Sequence, residues 1–154
     1  MNVYYHFSPF RLPIGSYLRP GNFGRLIRCF GAISQCHRRE TAYENHRIER
    51  HPHAPSRLDA LFCLPTLREC AIYRKSIATA KNRFLFEIRA DEPGFFANIQ
   101  DVEPSSKAQF DAASMDAYWR GWTPSAKDDD LLFREILLTR GAYVGREIPI
   151  DPAL

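Results

Sequence analysis

The chain has 154 residues, 45% of them hydrophobic and 25% charged, with 21 lysines and arginines against 18 acids and a formal charge of +3. That balance excludes global disorder and fits a single domain, 1–154, long enough to remove roughly 68–70% of its unfolded surface from water without disulfides. The cationic excess is too small to indicate nucleic-acid binding by itself, and no apolar run approaches the ~20 residues of a membrane helix.

Val3 to Phe7 is β-prone and stops at Ser8-Pro9, which predicts a first strand. Leu12 to Gly24 carries Pro13, Gly15, Pro20, Gly21 and Gly24 and is expected to be mostly loop. From Arg25 to Cys36, Leu26, Ile27, Phe30 and Ile33 fall at helical spacing. Arg38 to Arg50 mixes both charge signs without an apolar stripe, so an exposed helix ending before His51-Pro52 is expected.

Arg57 to Leu64 reads as a central strand, and Thr66-Leu67-Arg68-Glu69 has the spacing of a capping box that opens a helix from Leu67 to about Ala80. Asn82 to Arg89 alternates Phe84, Phe86 and Ile88 with Arg83, Leu85 and Glu87, a strand with one buried face. Pro93-Gly94 turns the chain into a short strand within Phe95 to Val102. A helix is expected from about Ser106 to Trp119 with Phe110, Ala113 and Ala117 inward, then a polar loop from Gly121 to Asp130. Leu131 to Thr139 and Ala142 to Ile150 read as two strands joined by a tight turn at Arg140-Gly141. Strands and helices are interspersed without a regular βαβ period, so an α+β fold is expected. No glycine-rich phosphate loop of the Rossmann or Walker type is present.

Cys29, Cys36, Cys63 and Cys70 form two pairs with six intervening residues, wider than the spacing of zinc knuckles. Cys36-His37 and His51-Pro52-His53 offer ligand types, but the cysteines read more simply as small hydrophobes, so no metal site is assigned and a reduced, cytoplasmic protein is expected. Met1 to His6 lacks a basic segment followed by a long apolar core, so no export signal is expected. An effector secreted without such a signal would have the same sequence.

Three places recur in a recognisable order: Tyr4-Tyr5-His6 on an early strand, Leu61-Phe62-Cys63-Leu64-Pro65-Thr66 leading into the capped helix, and a lone acid, Glu135, in Phe133 to Gly141. Together they resemble the ADP-ribosyltransferase superfamily, especially its diphtheria-toxin-like branch with a His, an aromatic and an acid, and a family of small bacterial proteins related to it. Pro55-Ser56-Arg57-Leu58, Phe86-Glu87-Ile88 followed by Asp101, and Tyr118-Trp119-Arg120-Gly121 extend the likeness over nearly the whole chain.

The resemblance implies a split β-sheet core with flanking helices, NAD as substrate, cleavage of the nicotinamide–ribose bond, and transfer of ADP-ribose to a protein, nucleic-acid or small-molecule acceptor, as in toxins and effectors. Glu135 would stabilise the positive charge that grows on the ribose; the bland reading is an exposed strand acid. Asp101 is either the catalytic carboxylate in its place, a helper, or a loop acid. His6 would hydrogen-bond the adenosine-side ribose, while Phe62 and Tyr73 would form the two faces of a nicotinamide sandwich. Arg19 and Arg57 would grip the pyrophosphate, or else form surface or structural ion pairs.

Two departures from the superfamily's pattern matter. Phe62 stands where a hydroxyl residue is usual, and Phe133 stands where arginine-modifying members carry a second glutamate. Arginine is therefore a disfavoured acceptor, and a catalytically inactive nucleotide- or protein-binding module on the same fold is the rival expectation.

Overall fold

The computed structural model describes residues 1–31, 36–77, 80–122 and 133–150. Two antiparallel sheets carry the fold. The first, in the order β1-β4-β7-β2, is built from Asn2–Ser8, Phe84–Ala90, Ala142–Ile148 and Tyr17–Leu18. The second, in the order β3-β6-β5, is built from Leu61–Cys63, Arg134–Leu138 and Phe95–Asn98. Helices flank both sheets: α1 (Asn22–Phe30), α2 (His37–Arg50), α3 (Leu67–Ser76) and α4 (Ala112–Arg120). The α+β expectation holds.

Strand alternation explains the layering, since successive side chains point to opposite faces. Tyr4, Phe86, Ile88, Ala142 and Val144 of the first sheet meet Leu61, Cys63, Ile136 and Leu138 of the second in one core. Leu137 and Ala97, on the reverse face of the second sheet, pack with Tyr43, Met115, Tyr118 and Trp119 of α2 and α4. Phe7 and Leu85, on the reverse face of the first sheet, pack with Cys70 of α3.

The sheets touch through an isolated bridge, in which Tyr5 and Leu64 exchange N–H···O bonds of 2.9 and 2.8 Å. Among the described residues this bridge, between β1 and the residue that follows β3, is the one strand-like pairing that joins the two sheets. Beyond it no ladder joins β1 to β3.

Several elements differ from the sequence reading for identifiable reasons. Leu12 to Gly24 contains β2 and the start of α1, which begins at Asn22 and ends at Phe30, before Gly31. The expected continuation of α1 past Gly31 reaches residues 32–35, outside those described. Arg57 to Leu64 is a 3-10 turn (Arg57–Asp59) followed by a three-residue strand at a sheet edge, not a central strand. Ser56 sets that turn by accepting from Leu58 N–H at 3.1 Å.

Thr66 does cap α3, accepting from Glu69 N–H at 3.2 Å, but the helix stops at Ser76 rather than near Ala80. In β4 both faces are buried, because Phe86 and Ile88 face the second sheet while Leu85 packs against Cys70 of α3. α4 starts at Ala112, since Asp111 accepts from Ala113 N–H and Ser114 N–H and fixes the N-terminus there. Its inward residues are Met115, Tyr118 and Trp119; Phe110 packs from the preceding loop, and Ala113 is exposed.

β6 and β7 are not a hairpin. The turn at Thr139–Gly141 passes the chain from the middle of the second sheet into the first. Glu92 holds that turn, accepting from Thr139 Oγ1 and Arg140 N–H, each at 2.8 Å. Gly141 adopts φ 86°, and a Cβ there would lie 2.2 Å from the Leu18 carbonyl oxygen, so a side chain is excluded twice over. The expected loop at 123–130 lies outside the described residues.

Candidate functional site

The parting of β1 and β3 creates the place where the chemistry-bearing residues gather. With no ladder beyond the Tyr5–Leu64 bridge, the imidazole of His6 occupies the gap and its Nδ1 lies 2.9 Å from the carbonyl oxygen of Phe62. A carbonyl only accepts, so Nδ1 carries the hydrogen and Nε2 is the acceptor nitrogen. Burial lowers the His6 pKa, outweighing the bond to Phe62 and reinforced by the charge of Arg83, so the ring is neutral at pH 7.

Phe62 lies edge-on to Phe23, with ring centroids 5.3 Å apart, and carries the guanidinium of Arg57 4.9 Å from its centroid. Arg57 sits at the start of the 3-10 turn, 6% exposed, and continues the chain of contacts inward. Its Nε donates to Glu40 Oε2 at 2.9 Å, and its Nη1 donates to Tyr118 Oη at 2.5 Å and to Glu135 Oε1. Tyr118 in turn donates to Glu135 Oε1 at 2.5 Å. Two donors thus converge on one carboxylate oxygen, and neither bond engages Oε2.

The charges sort accordingly. Burial alone would weaken the Arg57 cation, but Glu135, Tyr118 and Glu40 reverse the effect and hold its pKa well above the ordinary value. Burial would raise Glu40, and the charge and hydrogen bonds of Arg57 and Arg39 lower it instead. Burial pushes the Tyr118 hydroxyl far up, so it remains a donor.

The predicted residues therefore fall into two sets. His6, Phe62, Arg57 and Glu135 form one continuous run of contacts across β1, β3 and β6. Tyr73 stands beside them: its ring stacks on Phe7 at 5.6 Å, and Arg83, Glu135 and Arg57 are the charges that act on its hydroxyl, which burial pushes up. One face of each ring expected to sandwich nicotinamide is thus in use, Phe62 by Arg57 and Tyr73 by Phe7.

Arg57, read as a pyrophosphate grip, is instead enclosed by the protein's own carboxylates. Asp101 ends a 3-10 turn after β5, where its main-chain carbonyl accepts from Tyr43 Oη at 2.5 Å; burial raises its carboxyl. Arg19 is exposed beyond β2. Among the described residues no contact joins Asp101's carboxylate or Arg19 to the His6–Glu135 run.

Three participants escaped the sequence reading. Glu40 lies in the helix predicted to be exposed, yet both it and Tyr43 are 1% exposed. Tyr118 belonged to a recognised motif without an assigned role. Arg83, preceding β4, acts on both His6 and Tyr73.

Two surface hollows lie elsewhere. One of about 290 Å³ is lined by Tyr17, Arg89, Asp91, Arg140 and Tyr143; another of about 200 Å³ is lined mainly by Phe7, Leu67, Cys70, Leu85 and Ile148. No helix among the described residues is long and apolar enough to cross a membrane. None of the four cysteines forms a disulfide, and Cys63 and Cys70 are buried.

No curated protein matches the chain. A family model described as "Protein of unknown function (DUF2441)" matches residues 5–138, most of the chain and all of the His6–Glu135 run, and the protein belongs to that family.

Proposed function

We propose that the domain is an ADP-ribosyltransferase-like enzyme that takes NAD at the parting of its two sheets and breaks the nicotinamide–ribose bond, passing ADP-ribose to a protein, nucleic-acid or small-molecule acceptor. One observation carries the reading: His6, Phe62 and Glu135, from three distant stretches of sequence, lie along one run of contacts over the neighbouring strands β1, β3 and β6. His6 Nε2 would accept from a ribose hydroxyl. Arg83, whose charge acts on the site, would meet the pyrophosphate in place of Arg57. Glu135 would use Oε2 to hold the reacting ribose as positive charge develops, a contribution on the order of 3–4 kcal/mol for one preorganised bond.

A second reading is favoured by one specific feature. Glu135 already shares Oε1 between a buried cation and a buried phenol, which neutralises the charge that a developing oxocarbenium ion would need. A non-catalytic dinucleotide- or protein-binding module would keep this arrangement unchanged.

Titration calorimetry with NAD, run beside an assay for released nicotinamide, tests both. Binding with release supports the transferase, with turnover lost in a folded Glu135→Gln variant. Binding without release supports the module. If NAD does not bind, the dinucleotide reading is wrong in both forms.

A further inference from the structure

We infer that His46, His51 and Asp116 form a binding site for a divalent first-row transition ion of the zinc type, which clamps α2 to α4. The two Nε2 atoms lie 2.7 and 2.8 Å from the same carboxylate oxygen, Asp116 Oδ1. The ligand atoms of all three residues lie within 4.8 Å of one another. His46 is on the last turns of α2. His51 caps that helix with φ −135° and ψ 53°, a bend out of the helical path that brings its ring 5.9 Å from that of His46. Asp116 projects from α4, so the three donors come from two separate elements.

Chemistry selects the class of ion. Two imidazole nitrogens and one carboxylate oxygen suit zinc and its neighbours, whereas calcium and magnesium prefer oxygen alone. Around an ion about 2.0–2.2 Å from each donor, tetrahedral geometry separates donors by ~3.3 Å. The two nitrogen–oxygen spacings are about 0.5 Å shorter, and the two nitrogens lie within 4.8 Å of each other, differences that small side-chain rotations supply. In the ion-bound form each imidazole would carry its hydrogen on Nδ1, freeing Nε2 as the ligand. The residues are only 12%, 19% and 22% exposed at their side chains, so the site is sheltered but reachable, with a fourth position left for water. Arg50 Nη2 lies 4.0 Å from Asp116 Oδ2, the oxygen not shared by the histidines, and can remain there.

The clamp has a consequence for the site described above, although it does not depend on the NAD reading. α2 carries Glu40 and Tyr43, and α4 carries Tyr118 two residues after Asp116. An ion joining the two helices would fix Tyr118, one of the two donors to Glu135, and Glu40, the carboxylate that holds the other donor, Arg57.

The test uses tag-free, full-length protein with Co(II) and Zn(II) as probes. One equivalent of Co(II) should give visible d–d absorption without the near-ultraviolet thiolate band that cysteine ligation produces. Zn(II) at about a hundredfold its Kd should raise Tm by on the order of 5–10 °C. His46→Gln and His51→Gln each keep an N–H donor for Asp116 but remove the ligand nitrogen; both should fold and lose at least tenfold in Co(II) affinity. Folded variants that bind Co(II) as tightly as the parent would overturn the site. So would a parent protein with no d–d absorption and no Tm shift, or with a thiolate band; His46, Asp116 and His51 would then be a hydrogen-bonded clasp alone.

Discussion

Arg57 Nε donates to Glu40 Oε2 at 2.9 Å, and neither side chain reaches solvent to any extent, at 7% and 1% exposure. A guanidinium in that position is held by two carboxylates and covers the rings of Phe62 and Tyr118 at 4.9 and 5.0 Å. Replacing it with Met leaves Glu40 and Glu135 buried without their shared cation, which costs about 3–5 kcal/mol. Arg57→Lys should recover only part of this loss, because a point charge lacks the planar fork and cannot lie over both rings. Urea unfolding of both variants checks this; a Met variant within 1 kcal/mol of the parent contradicts it.

The same pair gives an acid limb to stability. Glu40 has a folded pKa below its ordinary value of 4.5, since Arg57 and Arg39 outweigh the burial that would raise it. A depressed folded pKa means the stabilisation is complete above the unfolded value and is lost as pH falls through the folded one. Urea midpoints measured from pH 7 down to about pH 3 should therefore drop below pH 4.5, and Glu40→Gln should start lower and fall less steeply. Parallel curves for parent and variant would remove Glu40 as the source.

The strands that carry His6 and Glu135 were legible because alternation and turn residues are local signals. The Thr66 cap was legible for the same reason. Glu40 was not. A carboxylate among Arg38, Arg39 and Arg47 looks like a solvated face until Arg57 is known to approach it, and that approach depends on a 3-10 turn hidden in an apolar run. The Arg140-Gly141 turn was also visible, but a turn does not reveal which sheet receives the next strand. The pairing of Ala142 with Leu18 and of Val144 with Ile88 decides that, across distant stretches of the chain, and has no local trace. His46, His51 and Asp116 were scattered for a similar reason, meeting only when α2 and α4 pack.

Glu69 links α3 to β6, the strand that carries Glu135. It is 1% exposed; its Oε1 accepts from Arg134 Nε at 2.7 Å, and its Oε2 accepts from both Arg134 Nη2 at 3.1 Å and Thr66 Oγ1 at 2.8 Å. Thr66→Ala removes a helix cap and should cost about 1 kcal/mol. Glu69→Ala strands a partly buried guanidinium and should cost about 3–5 kcal/mol. The order of the two losses in one denaturation series is the discriminating result, and equal losses would show that the cap alone matters.

Gly24 reports on how closely α1 approaches the 3-10 turn. A Cβ at this position would lie 1.9 Å from the Leu58 carbonyl oxygen, and backbone on both sides leaves little room to yield. Gly24→Ala should therefore destabilise by about 2–4 kcal/mol even though alanine is the better helix former. A thermal melt showing a gain in stability would mean that α1 is not seated on Leu58.

His6 separates a structural from a ligand-holding role by which nitrogen a substitute retains. Asparagine places an N–H near the position of Nδ1 and can still donate to the Phe62 carbonyl, but it offers nothing where Nε2 stands. His6→Asn should hold Tm close to the parent while weakening NAD about tenfold, the worth of one hydrogen bond of about 1.4 kcal/mol. Because burial lowers the ring's pKa from 6.5, NAD affinity of the parent should stay flat as pH falls from 8 to about 6.5 and change only below it. A step in affinity centred at or above 6.5 would assign the titrating contact to another group. Unchanged affinity in a folded His6→Asn protein would leave the imidazole as no more than the filler of the gap between β1 and β3.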